Sequence, residues 1–251
     1  MTVVQLPTLD APPITPLRGT LFDAARVIDG LPIGLLANED DAYESWNCLY
    51  SSAKYIADPC AQNTKTFSAV PWAAAFYEVA YLGATCKGPG FSFNEGAGKL
   101  ATLYQAMESK IVADRLMHHV LIVGNTDVTP GGAPVDPITA LGVLEAHAAT
   151  HYAGAPTIHM GRGLLAHLCQ QLDTSGPTFY TCGGSKVAAD GADTRMWVTG
   201  EVTIARGEMI SVPAINTTTN DMTFLAERAY LISYDCLQAY VQTDVPVPGA
   251  P

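Results

Sequence analysis

The chain has 251 residues, 48% of them hydrophobic and only 15% charged, with a formal net charge of −11 at pH 7. That length allows one large domain or two small intertwined ones, and the charged fraction is well below the roughly 25% of ordinary soluble domains, leaving much neutral surface. With 13 Lys and Arg against 24 Asp and Glu, there is no basic stripe to drive contact with nucleic-acid phosphates, although an acidic wall can enclose DNA without holding it.

The opening Met1-Thr2-Val3-Val4-Gln5 lacks the basic start and apolar run of a secretory signal, so synthesis in the cytoplasm is expected. Prolines at Pro7, Pro12, Pro13, Pro16 and Pro32 forbid a long helix over the first 40 or so residues. Only Leu21 to Ile28 predicts a short one. Apolar residues such as Val3, Leu6, Phe22 and Ile33 favour an extended arm docked on a neighbouring surface over a disordered tail. Residues 38–66 are polar, with Tyr43, Trp46, Tyr50 and Tyr55 spaced among them. They read as a long loop, or as a projecting hairpin whose aromatics touch a partner. Phe67 to Thr85 predicts a strand anchored by Val70, Trp72, Phe76, Val79 and Tyr81.

After Gly88 and Gly90, Asn94 is placed to cap the longest helix, Glu95 to about His119. Leu100, Leu103, Tyr104, Met107, Ile111 and Leu116 recur along it at helical spacing. At 1.5 Å per residue this helix is about 35 Å long. Val120 to Val123 reads as a strand-like exit. Thr126 to Pro134 is a Gly/Pro loop. Asp136 then caps and Pro137 opens a helix that runs to Tyr152 and closes at Gly154. Ala155 to Met160 predicts a buried strand. Gly161 to Leu172 predicts a helix with Leu164, Leu165, Leu168, Cys169 and Leu172 inward. A polar stretch, 176–194, surrounds a short Phe179–Cys182 piece, and strands follow at Met196–Thr199 and Glu201–Ala205.

The stretch from Asn216 to Asp244 carries the strongest pattern. A polar turn, Thr217 to Asp221, feeds a long strand. Alternation puts Phe224, Ala226, Arg228, Tyr230, Ile232 and Tyr234 on one face and Leu225, Glu227, Ala229, Leu231 and Ser233 on the other. Adjacent Glu227 and Arg228 place a charge on each face, which suits a sheet meeting neighbouring subunits better than a dry core. Asp235 bends the chain, and Leu237 to Val241 forms a last apolar strand. No apolar run is long enough to span a bilayer as a helix.

Chemistry-bearing motifs are weak. Gly96-Ala97-Gly98-Lys99-Leu100 lacks the Ser or Thr of a phosphate-binding loop and reads as a turn and helix start. His147 and His151 stand at i, i+4, a spacing that can share a metal, but no Glu follows His147 and no third ligand is evident. The pair reads as a solvated or interfacial face. His118 and His119 suit the dipole at a helix end. Gly183-Gly184-Ser185-Lys186 is not a nucleophile elbow, and paired carboxylates occur only at Glu39-Asp40-Asp41. No catalytic, cofactor or metal site is assigned. Six cysteines are scattered without a C-x-x-C. Cys169 and Cys236 are expected as buried thiols, while Cys48, Cys60 and Cys86 lie in loop-like sequence and are candidates to pair in oxidising surroundings.

Phe224-Leu225-Ala226-Glu227-Arg228-Ala229-Tyr230-Leu231-Ile232 and Gln238-Ala239-Tyr240-Val241 resemble the closing hairpin of tailed-bacteriophage major capsid proteins of the Hong Kong 97 type. Tyr152 to Arg162 resembles that family's apolar strand, M-x-R and helix element. Trp46-Asn47-Cys48 and Asp58-Pro59-Cys60 are similar to elements of actinobacteriophage shell proteins. The resemblance implies an α+β, Hong Kong 97-type capsid fold. Its parts would be an N-terminal arm (1–37), an extended loop (38–66), a peripheral domain (67–135 and 206–245) with spine helix 95–119, an axial domain (136–205) and a tail (246–251).

It further implies a structural shell subunit, not an enzyme, self-assembling through pentamers and hexamers into an icosahedral head around double-stranded DNA. Such a virion protein would assemble in the host cytoplasm, without a cofactor or membrane, alongside separate scaffolding, portal and decoration proteins. Trp46, Tyr50, Tyr55, Glu227 and Arg228 are the expected intersubunit contacts, and Gly88, Gly90, Gly131 and Gly132 the expected joints. The alternatives are an encapsulin-like compartment shell, a neck or tail component, or a metal-dependent α/β enzyme using His147 and His151.

Overall fold

A computed structural model describes residues 17–30, 47, 74–87, 93–122, 125–191, 194–216 and 221–245. In chain order these form α1 (Leu21–Ala24), β1 (Arg26–Asp29), β2 (Ala74–Lys87), α2 (Phe93–Ile122), β3 (Thr126–Asp127) and α3 (Pro137–His151). There follow β4 (Thr157–Gly161), α4 (Arg162–Leu168), β5 (Leu172–Ser175), β6 (Thr178–Thr181), β7 (Lys186–Gly191) and β8 (Arg195–Thr199). The chain continues with β9 (Val202–Arg206), β10 (Ile210–Asn216), β11 (Asp221–Tyr234) and β12 (Gln238–Gln242).

The strands make two sheets. In the five-stranded sheet, β11 is central: β2 pairs antiparallel with its full length, while β10 and then β9 share its other edge, with β1 parallel to β9. The seven-stranded sheet runs β3-β12-β8-β4-β7-β6-β5. The chain changes sheets twice near its end. It passes from β8 to β9, then returns from β11 to β12 across the Asp235 bend.

α2 has 30 residues, a span of about 45 Å. It starts at Phe93, so Asn94 lies inside the helix, and it continues through Ile122, where the sequence predicts a strand. Extending an established helix adds a hydrogen bond for each residue fixed, so weak propensity at its end does not stop it. The even-numbered face of β11 lies against it: Phe224, Ala226, Tyr230, Ile232 and Tyr234 are all buried. Leu100 and Tyr104 join Phe224 and Ala226 in one cluster, and Val112, Ala113 and Leu116 join Tyr230, Ile232 and Tyr234 in another. Gly96 permits the closest approach, since a Cβ there would stand 2.3 Å from Phe224 Cζ. Its role is packing inside the helix, whereas the sequence suggested a flexible turn.

A third cluster fills the seven-stranded sheet from Leu141, Leu144 and Ala148 on α3, Leu164 and Leu168 on α4, and Ile158, Val187, Val198 and Val241 on the strands. Asp136 caps α3 as expected, its carboxylate accepting from Ile138 N at 3.0 Å and Thr139 N at 3.1 Å. β4 is buried throughout.

Several expectations are corrected. The helix predicted from Leu21 to Ile28 ends at Ala24. Ala25 is extended, and the β-branched Val27 and Ile28 pair with Ile204 and Ala205 instead. Cys169 is exposed and free because α4 ends at Leu168, and Leu172 already belongs to β5. Cys236 is exposed and disulfide-bonded, where a buried thiol was expected. Cys86 lies in β2, opposite Met222, and not in a loop. β5, β7 and β10 were not anticipated, since their polar or proline-bearing sequences lack a clean alternation. Gly131 and Gly132, expected as joints, hold φ of +65° and +70° in a 3-10 turn that side-chained residues adopt reluctantly. Gly88 and Gly90 lie outside the described residues.

Candidate assembly surface

The odd-numbered face of β11 and the residues beside it form a layer over which no described element packs. Register places Tyr81 and Ile210 on either side of Glu227, Gly83 and Val212 on either side of Leu225, and Val79 beside Ala229. Cross-strand partners share a face, so these residues make one patch across β2, β11 and β10. Tyr81 is 70% exposed and Val79 47%, with Ile210 and Val212 similarly open. The patch continues along the sheet through Tyr77, Leu231, Ala205 and Ile28. Contiguous exposed apolar surface of this kind marks an interaction site. Beside it, between β2 and α2, a cleft of about 260 Å³ is lined by Val79, Tyr81, Ile111 and Arg115 among others.

The charge pair that drew attention in the sequence divides between the two faces. Glu227 lies half-buried in the apolar patch. Arg228 turns inward, where its Nη1 donates to Glu108 Oε1 at 2.6 Å. Glu108 is 3% exposed and also accepts from Arg206 Nη1 at 2.9 Å and from Tyr230 OH at 2.7 Å. Tyr230 shares a 2.7 Å hydrogen bond with Tyr104, and Arg206 pairs outward with Asp29. Two carboxylates thus meet two guanidiniums, which lets β11 carry an arginine on its buried face. Burial, with the hydrogen bonds to Tyr104 and Glu108, pushes the Tyr230 hydroxyl far above its usual range. The Arg206 hydrogen bond holds Asp29 below the ordinary carboxylate value. Arg228 therefore has an intrachain partner, a role the sequence did not foresee. Glu108 was also missed, although it stands one turn from both Tyr104 and Val112 on the buried side of α2.

A second polar group sits where the sheets exchange chain. Tyr152, at the end of α3, donates its hydroxyl to Asp235 Oδ2, while Glu201 N donates to the Tyr152 oxygen at 2.9 Å. Asn47 joins them, its Nδ2 lying 3.3 Å from Tyr152 OH and 3.5 Å from Asp235 Oδ2. Of the predicted contact residues, Trp46, Tyr50 and Tyr55 lie outside the described residues, as do Cys48 and Cys60 and the side chain of Cys86. The rings of His147 and His151 stack at 4.2 Å. Burial, then the neighbouring His151, lowers the His147 pKa. No group of three or more metal-ligating side chains occurs among the described residues. Nor is any described helix long and apolar enough to cross a membrane.

The whole arrangement has known counterparts. The chain is similar to the capsid of Ralstonia phage GP4 with a TM-score of 0.51, over 98% of this chain and 97% of that one, at 8% sequence identity. The fold is that of the Hong Kong 97-type capsid proteins. Microbacterium phage Oxtober96 matches at TM-score 0.48 and 12% identity, over 97% of this chain and 96% of that one. The holo-SrpI encapsulin complex from Synechococcus elongatus PCC 7942 matches at TM-score 0.43 and 10% identity, over 68% of this chain and 73% of that one. No protein-family model matches the chain, and no curated protein matches it in sequence. α2 runs three residues further at its C-terminal end than the sequence indicates.

Proposed function

We propose that this chain is a structural shell subunit, the major capsid protein of a tailed phage, which assembles with copies of itself around double-stranded DNA. The observation that carries the proposal is the end-to-end likeness to a phage capsid, 98% of one chain against 97% of the other. The apolar sheet face supplies the physical reason. A subunit with Tyr81, Val79, Ile210 and Val212 exposed on one layer gains by covering them, and many modest contacts repeated by symmetry close a shell firmly.

In this reading the five-stranded sheet with α2 is the peripheral unit and spine, and the seven-stranded sheet with α3 and α4 is the axial unit that surrounds the five- and six-fold axes. Glu227 and its apolar neighbours face an adjoining subunit, and Trp46, Tyr50 and Tyr55 reach a neighbour from the 38–66 segment. The net charge of −11 keeps the wall from binding packaged DNA. Scaffolding, portal and decoration proteins would be separate chains, and assembly would take place in the host cytoplasm.

Expression of the chain alone, followed by sedimentation and negative-stain microscopy, tests this. Closed shells, or rings of five and six, are the expected products. A monomer or dimer at every concentration and salt condition would overturn the proposal. Closed shells that enclose a protein cargo carrying a shared terminal peptide, with no DNA in the native particle, would assign the chain to a compartment shell.

A further inference from the structure

We propose that His147 and His151, on the last turns of α3, form a two-imidazole site for a divalent late transition metal such as Cu²⁺, Ni²⁺ or Zn²⁺. The site rests on the geometry of one helix and is independent of the shell reading. Side chains four residues apart on a helix lie on one face, one turn above the other. Here the two rings stack with centroids 4.2 Å apart and planes inclined by 26°. His151 is exposed and His147 half-buried, so an ion can reach the pair from solvent.

Hydrogen bonding fixes which atom of His151 meets the metal. Its Nδ1 lies 2.8 Å from the His147 carbonyl oxygen. A carbonyl only accepts, so Nδ1 carries the proton of the neutral ring and Nε2 carries the lone pair. Metal-ligating histidines use the same device, in which the second ring nitrogen donates to a carbonyl or carboxylate and holds one tautomer. For His151 that carbonyl belongs to the other ligand, so the ring is oriented before an ion arrives. Metal–imidazole bonds of about 2.0–2.1 Å allow two nitrogens to stand up to about 4 Å apart across one ion. That span is close to the 4.2 Å between the rings. Rotation of the His147 ring about its Cβ–Cγ bond, a soft torsion, turns a nitrogen to the same point.

The surroundings decide the class of ion. Glu145 is the one carboxylate of α3, and it is engaged elsewhere. It accepts from Thr181 Oγ1, and a Cβ on Gly183 would fall 2.7 Å from its Oε2. Among the described residues no third metal-ligating side chain joins the pair, so water completes the coordination. Two imidazoles with water suit Cu²⁺, Ni²⁺ and Zn²⁺, with Cu²⁺ held most tightly, and not the hard cations that require several oxygens. His151 directly precedes Tyr152, whose hydroxyl joins Asp235 and Glu201 where the chain passes between the sheets. A bound ion would tie down the helical turn that leads into this tyrosine.

The test uses the full-length chain without an affinity tag, stripped with a chelator, its exposed thiols at Cys169 and Cys182 alkylated. It is titrated with Cu²⁺ and followed by electron paramagnetic resonance. The expected result is one tight Cu²⁺ per chain, its spectrum split by two imidazole nitrogens. His147→Ala and His151→Ala should each reduce that splitting to one nitrogen and weaken binding at least about tenfold. His118→Ala and His167→Ala, at exposed positions on α2 and α4, should change neither. Alanine is the best helix former, so both site variants keep α3, which circular dichroism checks. Copper split by a single nitrogen in the parent chain, full affinity in either site variant, or no tight copper at all would overturn the inference.

Discussion

At the scale of single residues, the interior holds a few polar groups on which its stability depends. His159 is fully buried on β4, its Nε2 at 2.9 Å from Thr199 Oγ1, and burial pushes its pKa down to about 4. Between about pH 6.5 and 4 the unfolded chain takes up a proton that the folded chain refuses, so acid destabilises the fold over that window. The effect totals about 3 kcal/mol at full development. Urea unfolding of the unassembled subunit at pH 7 and pH 4.5 measures it, and His159→Gln should flatten that dependence relative to the parent chain. Glu108 is the second such group. Glu108→Gln removes the charge that two guanidiniums share; Arg206 keeps Asp29 while Arg228 loses its carboxylate, and breaking such a buried pair costs on the order of 3 kcal/mol. A change in urea midpoint at constant slope reads this out, and a neutral result would mean that Arg206 and Arg228 reach water. Neither residue was marked by the sequence, because a buried His or Glu is recognised by its surroundings and not by its neighbours in the chain.

Among the elements, those with strong local signals were legible. Asp136 and Pro137 announce α3, and the period-two pattern of β11 placed Phe224, Tyr230, Ile232 and Tyr234 correctly on one face. What that pattern withheld was where the face goes. Arg228 among these residues pointed to a subunit boundary, whereas α2 brings Glu108 to it from more than a hundred residues away. Weak elements were lost for the same reason: β1, β5, β7 and β10 exist because a neighbouring strand supplies their hydrogen bonds, and tertiary pairing outweighs their modest propensity. The contact between α2 and β11 gives the test at this scale. Gly96→Ala pushes a methyl into the Phe224 ring and should cost about 1–3 kcal/mol through overpacking. Combining it with Phe224→Leu should recover part of that loss in thermal unfolding, and strict additivity of the two changes would argue against the contact.

At the scale of the whole molecule, the described residues form one sheet covered on a single side and a second sheet with its own core. The exposed layer through Val79, Tyr81, Ile210 and Val212 would be covered in the proposed shell. Tyr81→Lys replaces a 70% exposed aromatic by a charge on a face that no described element covers. Unfolding should move by no more than about 0.5 kcal/mol, while the yield of closed particles in sedimentation should fall sharply. The fold's overall plan was accessible from the sequence through the closing strands and the long helix. The open face was not, since Tyr81 and Val79 look like core anchors until the register places them beside Glu227 and Ala229 on the side of the sheet that no described element covers. The most direct measurement is single-particle cryo-electron microscopy of the native particle. The expected image is a closed icosahedral wall built from this chain, with a neighbouring subunit lying over Tyr81 and Glu227. A particle whose wall is another protein, or a wall of this chain that leaves that layer open to solvent, would contradict it.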